Sequence, residues 1–239
     1  ISLNKNFPEL YNNLANVYKD KGELEKAIEA YKKAIEINPE YFVAFYNLGI
    51  IYQSLKQIED AIKMYKMSLS IDPNHVQTLN NLGNIYQEQG LIGKAIENFH
   101  KVITLDPNFQ QAYFNLGNAL KGIIFQNPNP QLQISILNLL KKETYVNPSN
   151  IVKASLSLLK KDESLKLIFE ETQKHITSKN VKNIIKTLAK NSLFLKLLSV
   201  SLIQDTYIEN SLKNIRMSIL DNIFKIGSEA EITNFQAPL

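Results

Sequence analysis

A chain of 239 residues that is 44% hydrophobic is long enough to bury a core and too apolar to be a disordered tether. It has no cysteine, which removes disulfides, thiolate nucleophiles and thiolate metal sites together and fits a reducing, cytoplasmic setting. The net charge of +4 is uneven: residues 1–117 carry 11 Lys against 13 acidic residues, residues 118–239 carry 15 Lys and one Arg against 10, and lysines so scattered with a single Arg make nucleic acid an unexpected partner.

Residues 1–9 have neither the basic nor the apolar region of a secretory signal, and Ile1 is not a natural start residue, so the sequence reads as trimmed. From residue 12 a pattern begins that returns every 34 residues. Asn-Asn-Leu-Ala-Asn-Val-Tyr at Asn12–Tyr18 recurs as Tyr-Asn-Leu-Gly-Ile-Ile-Tyr at Tyr46–Tyr52. It comes back as Asn-Asn-Leu-Gly-Asn-Ile-Tyr at Asn80–Tyr86 and as Phe-Asn-Leu-Gly-Asn-Ala-Leu at Phe114–Leu120. A second stripe follows each of the first three: Ala27, Tyr31, Ala34; then Ala61, Tyr65, Ser68; then Ala95, Phe99, Val102. Pro39, Pro73 and Pro107, each after Asn or Asp, close the units.

Each unit reads as two helices. Leu79, Leu82, Gly83 and Tyr86 fall on one face of a 3.6-residue period. Gly83 and its equivalents Ala15, Gly49 and Gly117 sit in the middle of that face, where a small residue admits a close partner helix at a propensity cost of about 1 kcal/mol for Gly against Ala. Gly22 and Gly90 fall at the turn between the two helices. The Asx-Pro closures push the chain out of the helix, because the residue before Pro is disfavoured in the α region.

This pattern resembles the tetratricopeptide repeat family over residues 8–109, with the start of a fourth unit at 110–120. The resemblance implies an all-α, right-handed solenoid of antiparallel helix pairs, with a concave wall lined by the first helix of every pair. Independently of the family, a two-helix unit cannot bury both faces alone, so neighbours must stack. The expected array spans residues 1–125, with units at about 8–41, 42–75 and 76–109 and a partial unit at 110–125.

The second-helix signature never follows Leu120, and Asn127–Pro130 reads as a turn. Residues 126–239 are expected to form a C-terminal helical bundle or cap, from amphipathic stretches at Leu132–Lys142, Ser149–Lys161, Glu163–Ile176, Lys179–Lys190, Leu193–Ile203 and Tyr207–Ile226, with Ser149 capping the second. Leu132, Ile136, Leu139 and Leu140 share a face, as do Leu156, Leu159, Leu165 and Ile168 across a break at Asp162. The most apolar of these stretches is about 11 residues long and carries Lys196, too short and too charged to span a membrane. The segments Ala119–Phe125 and Thr144–Ser149 are also similar to repeat-bearing cyanobacterial proteins, in which such a helical region precedes a methyltransferase-like domain.

The candidate binding residues lie off the packing stripe of the first helices. Asn13, Asn47, Asn81 and Asn115 form one row, and Asn16, Asn84 and Asn118 a second, broken by Ile50. Asn carries an acceptor and two donors, which suits an extended peptide backbone. The resemblance supports this use, since concave-face asparagines contact peptide backbone in several tetratricopeptide proteins. A competing account has these residues bond across to the adjacent unit and hold the stack together. Flanking candidates are Asn12, Tyr46, Asn80 and Phe114, then Lys19, Gln53, Gln87 and Lys121. The Lys or Arg that clamps chaperone carboxylate tails in related domains is replaced by Asn12 in the first unit and by Gln77 and Asn81 in the third, so an acidic chaperone tail is not the expected guest.

Catalytic chemistry finds no foothold. His75, His100 and His175 are far apart in sequence, His75 falls in an ordinary Asp-Pro-Asn-His turn, Glu170-Glu171 reads as a solvated helix face, and no phosphate loop or nucleophile elbow occurs. No catalytic residue, metal or cofactor is expected. The leading reading is a non-catalytic scaffold for a protein or extended peptide. The alternatives are a substrate-recruiting arm of a larger methyltransferase- or glycosyltransferase-like enzyme whose catalytic domain is absent here, and a self-association module forming a homo-oligomer.

Overall fold

The structure, a computed structural model, describes residues 7–142, 147–174, 178–200, 209–215 and 217. Among these residues every regular element is an α-helix. Two compact units divide the chain, Ile1–Ala119 and Leu120–Leu239; the expected division at 125 lies six residues further on.

The first unit contains α1 (Pro8–Asp20), α2 (Leu24–Ile37), α3 (Phe42–Ser54), α4 (Ile58–Ile71), α5 (Val76–Glu88), α6 (Ile92–Leu105) and α7 (Gln110–Ala119). The helices pair as α1 with α2, α3 with α4 and α5 with α6, and the pairs join through α2 on α3, α4 on α5 and α6 on α7. The turn inside each pair is the same Schellman closure. The N–H groups of Gly22, Lys56 and Gly90 donate to the carbonyls of Lys19, Gln53 and Gln87, and those of Glu23, Gln57 and Leu91 to Tyr18, Tyr52 and Tyr86. That geometry needs a positive φ, which Gly22 (77°) and Gly90 (74°) supply freely and Lys56 (59°) supplies against its Cβ. Between pairs, the Asn38, Asp72 and Asp106 side chains accept from the backbone N–H two residues on, at 2.9, 3.0 and 2.9 Å. The Asx residue thus closes a local turn while Pro ends the helix.

Close approach within a pair follows from the small residue on the first helix. A Cβ at Gly49 would lie 2.5 Å from Tyr65 Cε1, and one at Gly83 would lie 2.6 Å from Phe99 Cε1. Ala15 holds the equivalent place opposite Tyr31, and all of these aromatic rings are fully buried. The Ala27, Tyr31, Ala34 stripe then meets Ala44, Leu48 and Ile51 of the following unit in one apolar cluster.

The fourth unit stops at α7. Leu120–Gly122 form a turn, and Asn129 caps the next helix by accepting from the Leu132 N–H at 2.9 Å. The second unit holds α8 (Pro130–Lys141), α9 (Pro148–Lys161), α10 (Glu163–Lys174), α11 (Ser178–Lys190) and α12 (Ser192–Val200), and residues 209–215 are also helical. Successive helices pack on one another, and α12 returns against α8 and α9. The faces expected from the sequence are buried, Leu132, Ile136, Leu139 and Leu140 on α8 and Leu156, Leu159, Leu165 and Ile168 across the Asp162 break. Asp162 caps α10 through the N–H groups of Ser164 and Leu165. Phe169 and Phe194 meet edge to face at 5.9 Å. Ser149 does not precede its helix: α9 begins at Pro148, whose fixed φ suits the first helical position, so Ser149 stands inside the first turn. Residues 1–6, 143–146, 175–177, 201–208, 216 and 218–239, which include His175 and parts of three expected stretches, lie outside the described residues.

Candidate functional site

The first helices α1, α3, α5 and α7 bring their Asn rows side by side, but the members of one row occupy different settings. Asn47 is buried and donates from Nδ2 to Asn12 Oδ1 of the preceding unit at 3.0 Å. Asn115 is buried in the same way, donating to Asn80 Oδ1 at 3.0 Å and Asn84 Oδ1 at 2.8 Å while accepting from Gln111 at 2.9 Å. These bonds join consecutive units, as the competing account of the row requires, and they take Asn12, Asn47, Asn80 and Asn115 almost wholly out of solvent. Asn13 is exposed and Asn81 partly so.

The alternation has a chemical cause. The acceptor for each inter-unit bond is the residue just before the row position in the preceding unit, which is Asn12, Tyr46 and then Asn80. Where Tyr46 replaces Asn, Asn81 turns to phenols instead, donating to the Tyr65 hydroxyl at 3.4 Å and bonding the Tyr46 hydroxyl. Burial pushes both phenols up, and the Asn81 bond offsets part of that.

The second helices contribute polar groups that sequence reasoning missed. Tyr31 donates to Asn16 Oδ1 at 2.5 Å and Tyr65 to Gln53 Oε1 at 2.8 Å. Both tyrosines read from sequence as core stripe alone. The available signal was the phenol, since Phe99 at the same place in the third unit has no group to bond. Burial pushes Tyr31 to about 12, with a smaller contribution from the Asp20 charge.

Asn16, Tyr46, Asn84, Gln53, Gln87 and Lys19 are partly exposed, Asn118 and Lys121 are exposed, and Phe114 is half exposed. The first helices therefore carry partly or fully exposed amides on α1, α3, α5 and α7 and an aromatic on each of α3 and α7. His75, an ordinary turn residue by sequence, is half-buried between Phe42 at 5.1 Å and Tyr46 at 4.9 Å, with Nδ1 2.6 Å from Thr78 Oγ1. Burial holds its imidazole below the usual value, and Asp72 raises it slightly. Glu170 is an exposed residue 3.8 Å from Lys166. Among the described residues no group of three or more His, Cys, Asp or Glu is placed to hold a metal, and no helix is long and apolar enough to cross a membrane.

A family model described as TPR repeat matches residues 15–56, and one described as Tetratricopeptide repeat matches residues 42–75 and 76–109. No curated protein matches the chain. Among solved structures, MamA is similar at 26% identity, covering 59% of this chain and 81% of its own, with a TM-score of 0.49. The first TPR of Spaghetti (RPAP3), bound to an HSP90 peptide, is similar at 19% identity over 50% of this chain and 94% of its own, TM-score 0.46. The Arabidopsis OM64 TPR domain is similar at 20% identity over 48% and 96%, TM-score 0.46. Residues 15–109 of this chain are thus similar to the tetratricopeptide-repeat family, whose models match there.

Proposed function

We propose that the first unit is a non-catalytic scaffold that holds a protein segment in extended form along α1, α3, α5 and α7. One observation supports the reading: Asn13 and Asn16 on α1, Asn84 on α5 and Asn118 on α7 remain partly or fully exposed, while Asn47 and Asn115 are spent on holding the first helices together. Exposed amides at repeating intervals match the alternating N–H and C=O groups of an extended backbone. Asn84 accepts from Asn115 through Oδ1, so a guest carbonyl can still take its amide N–H. Phe114 and Tyr46 supply aromatic surface of the kind that anchors interfaces.

The test separates contact residues from stack residues. A displayed random-peptide library panned against the whole chain should enrich binders, whose affinity is then measured by calorimetry. An Asn84→Ala, Asn118→Ala, Phe114→Ala variant of unchanged helicity should bind them at least tenfold more weakly, about 1.4 kcal/mol. Failure to enrich any peptide, or equal binding by the variant, would rule the reading out.

A further inference from the structure

The aromatic residue of each second helix decides which amides of the paired first helix stay open. The Tyr31 hydroxyl occupies Asn16 Oδ1 at 2.5 Å, and the Tyr65 hydroxyl occupies Gln53 Oε1 at 2.8 Å. Tyr65 also accepts from Asn81 at 3.4 Å. Phe99 stands at the same place in the third unit. Its ring is fully buried and lies as the Tyr65 ring does: a Cβ at Gly83 would be 3.1 Å from Phe99 Cζ, and one at Gly49 would be 3.0 Å from Tyr65 Cζ. The third unit therefore has the ring without the hydroxyl. Two amides differ accordingly. Asn115, the counterpart of Asn81, bonds Asn80 and Asn84 rather than a phenol. Gln87, the counterpart of Gln53, is partly exposed, and its side chain has no hydrogen-bond partner among the described residues. The first unit holds Lys19 at that place, so of the three only Gln87 keeps a whole amide open.

We infer that Phe99 is a positioning residue for the guest: by withholding a hydroxyl it leaves Gln87 free to pair with the main chain of the bound segment at the third unit. The inference rests on the peptide-holding role proposed above. A carboxamide carries one acceptor and two donors, and the N–H and C=O of one extended residue project to the same side. One guest residue thus meets Gln87 with two hydrogen bonds at once. Asn84 lies three residues earlier, beside Gln87 on the helix surface. Its Oδ1 is taken by Asn115, so what it adds is N–H donors for a further guest carbonyl. These contacts read backbone and not side chains, so the guest chemistry at this unit is an extended main chain.

Phe99→Tyr tests this, because it gives the third unit the phenol around which the first two already pack. Binding is measured by calorimetry on the whole chain, with peptides enriched from a displayed random library. Phe99→Tyr should bind about fivefold more weakly at unchanged circular dichroism, and Gln87→Ala, a change at a partly exposed side chain, should lose about the same. A general packing fault would weaken binding whatever stands at position 87. Phe99→Tyr is therefore also made in the Gln87→Ala background, where affinity should change by less than about 1.5-fold if the two residues act as one unit. Binding by Phe99→Tyr or by Gln87→Ala as tight as the parent's overturns the inference and leaves the peptide-holding role standing. An equal loss from Phe99→Tyr in both backgrounds does the same. Enrichment of no peptide at all overturns both.

Discussion

Lys56 adopts the left-handed backbone conformation that Gly22 and Gly90 supply at the same turn in the neighbouring units. A side chain in that region costs about 1–2 kcal/mol, of which the greater unfolded-chain entropy of glycine would return part. Lys56→Gly is therefore expected to stabilise the chain by about 0.5–1 kcal/mol, seen as a higher urea midpoint at unchanged slope. Gly90→Ala should lower the midpoint, although nothing lies within 4 Å of the added Cβ, because the penalty is in the backbone. The glycines announced the turn in the sequence; Lys56 did not, since lysine carries no turn signal and only the 34-residue register puts it there. The small residues on the packing stripe were legible for a different reason, their place in a 3.6-residue period. At Gly83 a methyl would meet the buried Phe99 ring at 2.6 Å. Overpacking of about 1–3 kcal/mol set against a helix-propensity gain of about 1 leaves Gly83→Ala destabilising by roughly 1 kcal/mol. A thermal melt of Gly83→Ala equal to or above that of the parent would show the helix pair yielding instead. Ala15 carries that methyl at the equivalent place opposite Tyr31.

Between elements, identical residues at identical spacing hold different positions. Asn13, Asn47, Asn81 and Asn115 form one row in the sequence, yet Asn47 and Asn115 bond the preceding first helix, Asn81 bonds phenols and Asn13 faces solvent. The sequence row was readable but its roles were not, because each role depends on the residue one place earlier in the preceding unit. Removing a buried donor strands its acceptor, so Asn47→Ala is expected to cost about 1–3 kcal/mol by leaving Asn12 Oδ1 unsatisfied. Asn13→Ala should change stability by less than about 0.5 kcal/mol. Urea unfolding of both variants decides the matter, and equal midpoints would show the Asn47 bond to be dispensable to the stack. The same reasoning explains why the second unit was legible only as a set of helices. Its apolar faces follow the helical period, but no repeating register tells which face meets which, and the return of α12 onto α8 joins segments about 60 residues apart and onto α9 segments about 40 apart.

For the molecule as a whole, the buried rings set the pH range over which the fold is stable. Burial holds both His75 and His100 below the ordinary 6.5 in the folded chain. Between that lowered value and about 6.5 the unfolded chain binds more protons than the folded one, so stability is complete above about 6.5 and declines as pH falls. Burial raises Tyr31, Tyr46 and Tyr65, which has the opposite sense. The unfolded phenols ionise near 10 while the folded ones resist, so stability is kept below about 10 and lost as pH rises beyond it. Thermal melts at constant ionic strength should therefore show a plateau between about pH 6.5 and 10 with a fall on each side. His75 sits against Phe42 and Tyr46 on α3 and bonds Thr78 on α5, so His75→Gln should shallow the acid limb while leaving the alkaline limb in place. Absorbance at the tyrosinate band should show part of the phenol titration delayed to about pH 12 and beyond, and a Tyr31→Phe chain should lose Tyr31's share of it while Tyr65 keeps the rest. An acid limb unchanged by His75→Gln would assign the linkage to His100 or to carboxylates instead.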